Sequence, residues 1–130
     1  MTLGALAVRH DAASAALVRH SIAHDLAGRS VSQDSIDDVV LVASELVGNA
    51  VVHTAADCVD DLDIAWDVEA EAVVVRVADP SGDLPRKRST NDLETGGRGL
   101  AIVAAIAVDW GVLCSPTGKQ VWARVPIGRN

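Results

Sequence analysis

The sequence predicts an α+β domain: a two-layer sandwich with a mostly antiparallel sheet and three helices on one face. Three observations predict it. Two stretches near the start carry apolar residues at helical spacing, two central runs alternate as strands, and the strands follow one another through hairpin-like turns. Strands linked this way, with helices grouped apart from them, pack as separate layers rather than as a parallel β/α array. At 130 residues, with hydrophobic residues at 49%, the chain is expected to form one domain, 1–130, with a sizeable core.

In chain order, residues 3–8 alternate enough for a short edge strand. Residues 11–28 read as an amphipathic helix, with Ala15, Ala16, Val18, Ile22, Ala23 and Leu26 near helical spacing and Gly28 as its stop. A second helix starts between Ser32 and Asp38, capped by Ser32 or Asp34, and runs to about His53. Thr54 to Asp61 is a polar connection. Residues 62–69 and 72–79 alternate as the two strands of a hairpin turning at Glu69-Ala-Glu71. Pro80 to Thr95 has no periodicity, and long loops in small domains tend to be functional. Gly97 to Ala107 reads as a third helix. Val108–Cys114 and Gln120–Ile127 form a closing hairpin around Ser115-Pro-Thr-Gly118.

Composition narrows the function. Eleven basic residues stand against 18 acidic ones, a net charge of −7 with no basic stripe, which argues against direct nucleic-acid binding. Cys58 and Cys114 lack metal-site spacing and read as reduced thiols of a cytoplasmic protein. No secretory leader and no membrane span are expected. The aromatic residues are three Trp, with no Phe or Tyr.

The chemistry concentrates in three places. In Val42-Ala-Ser-Glu-Leu-Val-Gly-Asn-Ala-Val-Val-His53, Glu45, Asn49 and His53 stand at i, i+4 and i+8, one row along a helix. Their neighbours are mostly apolar, and polar groups on a buried helix are destabilising unless something satisfies them. Asp79-Pro-Ser-Gly82 follows a strand, and Gly96-Gly-Arg-Gly-Leu100 opens a helix. Each alone has a plain reading: a paired structural charge for Glu45, a packing amide for Asn49, a turn for Asp79 to Gly82, a loop for the glycines. His53 reads first as a helix-end imidazole and second as a phosphate contact. In this order and within a short span, the three together read as one nucleotide site.

Those motifs resemble the Bergerat-fold ATPases, the superfamily of type II topoisomerase ATPase domains and sensor histidine kinases. Within it they most resemble the small bacterial anti-sigma factor serine kinases. The N box is matched by Glu45-Leu-Val-Gly-Asn49-Ala-Val-Val-His53, and the first glycine box by Val77-Ala-Asp79-Pro-Ser-Gly-Asp-Leu-Pro85. The second glycine box is matched by Gly96-Gly-Arg98-Gly99-Leu100-Ala-Ile-Val103, and the closing strand by Gly118-Lys-Gln-Val-Trp-Ala-Arg-Val125. The resemblance runs from about residue 10 to the end.

It implies ATP with Mg²⁺ as the cofactor pair. Asn49 would be the magnesium ligand, because magnesium keeps several waters and takes few protein oxygens. Glu45 would be the catalytic base or orienting acceptor for a hydroxyl. Asp79 would accept the exocyclic amine of adenine, with Ser81 and Gly82 beside it; guanine carries an acceptor at that place and would be disfavoured. Gly97, Arg98, Gly99 and Leu100 would meet the phosphates at a helix start, and residues 83–96 would be the ATP lid. This is not a Walker P-loop, whose pattern is absent. Many relatives carry Thr at the place of Gln120, so the resemblance places Gln120 in the adenine pocket. Asp83 brings a negative charge where the wider superfamily has glycine. The implied partners are a sigma factor and an anti-sigma factor antagonist bearing an acceptor serine, and the resemblance leaves room for a homodimer. Two other readings stay open: an ATP-binding regulatory module without kinase turnover, and a detached catalytic domain of a histidine kinase.

Overall fold

The structure, a computed structural model, describes residues 2–8, 13–53, 62–79, 97–115 and 118–129. Its elements are β1 (Thr2–Val8), α1 (Ala13–Ala27), α2 (Gln33–His53), β2 (Leu62–Val68), β3 (Ala72–Asp79), α3 (Gly97–Ile106), β4 (Asp109–Ser115) and β5 (Gly118–Pro126). The five strands form one sheet in the order β1-β2-β3-β5-β4, and every neighbouring pair is antiparallel. The fold is α+β, with three helices among the described residues, as the sequence predicts. The connection 54–61 and the proposed lid 83–96 lie outside the described residues.

One core joins the layers. Val18, Ile22 and Leu26 recur every fourth residue of α1 and are fully buried. Ile36, Val39, Val42, Ala43, Leu46 and Val47 do the same for α2, and Val103 for α3. On the sheet, Leu62, Ile64, Trp66 and Val68 of β2, Val73, Val75 and Val77 of β3, and Val121, Ala123 and Val125 of β5 complete the cluster. Their spacing of two is that of strands with one face in the core. Each such aliphatic side chain contributes roughly 1.5–3 kcal/mol when fully buried. The opposite face is polar at Asp63, Asp67, Arg76 and Arg124, although Ala72 and Val74 are also buried there.

Two close approaches need glycine. A Cβ on Gly4 would stand 2.1 Å from Trp66 Cε2, so the indole lies over β1 only because position 4 has no side chain. Gly111 plays the milder part beneath Trp122, with a Cβ 3.0 Å from the indole nitrogen.

The helix ends differ in part from expectation. α1 stops at Ala27, before Gly28, yet the left-handed residue is Ser30, at φ 64°, where the turn closes with Val31 N–H donating to Leu26 O at 3.3 Å. Of the two cap candidates for α2, Ser32 serves: its Oγ accepts from the Ser35 N–H at 3.3 Å, while Asp34 is exposed within the first turn. The chain's last described residues fasten that start. Ser32 N–H donates to Gly128 O at 2.9 Å, Gly128 N–H donates to Ser35 Oγ at 2.8 Å, and Arg129 reaches the carbonyls of Arg29 and Glu69. Glu69 also pairs with Arg124.

Candidate nucleotide site

The site is built on α2. With its start held by the Ser32 cap and residues 128–129, the phase of the helix is fixed, and each later residue turns by about 100°. Val42, Leu46 and Val47 face the core, which leaves Glu45 half-buried at the margin. Beside it, Ser44 Oγ accepts from Arg19 Nη1 of α1 at 3.1 Å. Asn49 and His53 follow on the same helix, one and two turns on, with His53 as its last residue.

α2 packs against α3, β3 and β5. β3 ends at Asp79 and β5 begins at Gly118, so those two strand ends lie side by side. α3 opens with Gly97-Arg-Gly-Leu100, so all four of these predicted residues occupy its first turn. Free backbone N–H groups there suit an anion. Ser81, Gly82 and Asp83 lie outside the described residues.

The register sets the faces of β5. Gln120 pairs with Ala78, and it alternates with Trp122 and Arg124 on the face away from the helices. Lys119 pairs with Asp79, and it continues the series Val125, Ala123, Val121 that faces the core. Gln120 therefore lies on the sheet face away from the helices, and Lys119 is the residue of β5 that pairs with Asp79.

Among the described residues no group of three or more His, Cys, Asp or Glu is placed to hold a metal ion. A magnesium ion carried with a nucleotide needs no such group, because phosphate oxygens and waters fill most of its shell. No helix among the described residues is long and apolar enough to cross a membrane.

The model of the histidine kinase-like ATPase domain matches residues 8–125. The chain belongs to this family. A histidine kinase-like ATPase domain implies ATP binding. No curated protein matches the sequence. Among solved structures, the crystal structure of the RsbU and RsbW domains of Rv1364c from Mycobacterium tuberculosis matches with a TM-score of 0.76 at 21% identity. The match covers 99% of this chain and 33% of that one. The histidine kinase-like ATPase domain thus spans about one third of the matched chain, and at this identity the likeness is one of fold.

Proposed function

We propose that the protein is an ATP-dependent serine kinase of an anti-sigma factor system. It would bind Mg-ATP between α2, the end of β3 and the start of α3, and phosphorylate a serine of a small antagonist protein. The observation that carries this reading is the order along one core helix: Glu45 half-buried at its margin, then Asn49 one turn later, on a helix packed against the strand that Asp79 ends. The fold likeness to a structure containing an RsbW domain supports the partner class, a sigma factor and its antagonist.

The residues fit the group they would hold. Asn49 offers a neutral oxygen, suited to an ion that binds through one or two protein ligands. Magnesium, when bound, neutralises charge on the phosphate oxygens. Asp79 accepts from the adenine amine and disfavours guanine. The first turn of α3, Gly97 to Leu100, presents N–H groups to the phosphates, and Arg98 adds positive charge. Glu45 would orient the acceptor hydroxyl and take its proton as the oxygen attacks the γ-phosphorus, the bond from that phosphorus to the β,γ-bridging oxygen breaks and ADP leaves. The lid is residues 83–96, and the setting is cytoplasmic.

Radiolabelled phosphate transfer to an antagonist co-purified from the native host tests this, with wild type beside Glu45→Gln. Gln keeps the shape but cannot act as a base, so transfer should fall by about 10²–10⁴-fold while ATP binding persists. Equal transfer by both proteins would make Glu45 a structural acid. ATP-dependent binding of the antagonist with no transfer by wild type would make the protein a docking module.

A further inference from the structure

The outer face of α1 carries two histidines one helical turn apart. His20 and His24 each stand two residues after a buried member of the core row, Val18 and Ile22, which sets each about 200° round the helix from it. Both are exposed, and residues at i and i+4 of a helix have Cβ atoms about 5–6 Å apart. The same face is small on either side, with exposed alanines at Ala16 and Ala27. The neighbouring guanidiniums are committed elsewhere: Arg19 donates to Ser44 on α2, and Arg29 donates to Asp25. His24 stands in the last turn of α1, where the helix dipole favours a cation.

We propose that His20 and His24 form a two-imidazole site for a divalent transition-metal ion of the zinc, nickel or copper(II) kind. His-x3-His on a helix is the spacing with which two imidazoles hold one zinc ion. Imidazole nitrogen suits these ions, whereas magnesium and calcium take oxygen, so the site differs from the Mg-ATP crevice in metal as well as in place. Two protein ligands do not close a tetrahedral shell, so the remaining positions are open to water or to a further donor. The pair is in register only while α1 is helical. The ion therefore binds the native chain in preference to the unfolded one and stabilises it.

The test is calorimetric titration of zinc chloride, with magnesium chloride as control, into the full chain as wild type, His20→Ala, His24→Ala and the double variant. Alanine is the best helix former, so α1 keeps its structure in all four. Zinc held by other donors, Cys58 and Cys114 among them, is common to the four proteins, and the double variant measures it. Each single variant should bind zinc at least about tenfold more weakly than wild type at the histidine site, the lower end of what the loss of even an outer-shell partner does to a metal site. Zinc should raise the denaturation midpoint of wild type more than that of the double variant, and magnesium should act alike on both. Zinc binding by the double variant equal to that of wild type overturns the site. A single variant that keeps wild-type affinity at half the stoichiometry shows two separate imidazoles and overturns it too.

Discussion

The indole N–H of Trp66 donates to Asp25 Oδ2 at 2.8 Å, joining the second strand of the sheet to the first helix. The same oxygen accepts from Arg29 Nε at 3.0 Å. Trp66 is buried, so this bond gives its N–H a partner without moving the ring out of the core. The ring position in turn depends on Gly4.

Gly4→Ala should therefore destabilise the fold by about 1–3 kcal/mol, the usual range for overpacking a filled site. The added methyl would stand 2.1 Å from a rigid ring atom held in place by Asp25. Chemical denaturation of Gly4→Ala, of Trp66→Leu and of the double variant would show it. The penalty of Gly4→Ala should largely vanish when Trp66→Leu is already present; an undiminished penalty there would mean that the ring is not what the methyl meets.

Asp25 sets an acid limit on stability. Burial pushes its carboxyl up, but hydrogen bonds from Arg29 and Trp66 and the charges of Arg29 and His24 outweigh this and hold it below the ordinary carboxylate value of 3.8. A depressed carboxyl contributes stability above its unfolded value and loses it as the pH falls through the folded one. Wild type should exceed Asp25→Asn in urea stability near neutral pH, and the gap should close below about pH 4. A gap that stays constant to the acid end would show that the charge of Asp25 contributes nothing.

Ser32→Ala should lower stability by about 1 kcal/mol through loss of the α2 cap. Glu45 and Asn49 lie three and more turns along that helix, so Mg-ATP affinity should hold while the denaturation midpoint drops. A parallel loss of ATP affinity would mean that the helix start governs the site as well as the fold.

The hairpin of β2 and β3 was legible to within one residue, because alternation from Leu62 to Val68 matches the alternating burial and Val73, Val75 and Val77 repeat it. α2 was legible because Ser32 and the apolar residues from Ile36 to Val47 agree on one phase. β5 was not. Pro116 and Gly118 read as a wide turn, which started the strand at Gln120 instead of Gly118. The late start left out Lys119, the residue that pairs with Asp79. Ala16 misled in another way: it is exposed, as is Leu17, because the fully buried side chains described in α1 are the row of Val18, Ile22 and Leu26. Of the candidate site, the order Glu45, Asn49, Asp79, Gly97 was legible; the pairing across the strand ends needs the sheet.

Asn49→Ala should keep the fold, since alanine is the best helix former, and lose the magnesium dependence of nucleotide binding. Titrating ATP with and without magnesium separates the outcomes. A variant whose ATP affinity still rises with magnesium as wild type does would remove Asn49 from the metal.

The most direct measurement is calorimetric titration of Mg-ATP into wild type and Asp79→Asn. Asn keeps the size of the side chain and removes the acceptor charge, so the account predicts that wild type binds and that the variant binds at least tenfold more weakly, about 1.4 kcal/mol. Equal affinity in the two proteins, or no binding by wild type, would contradict the proposed site at the end of β3.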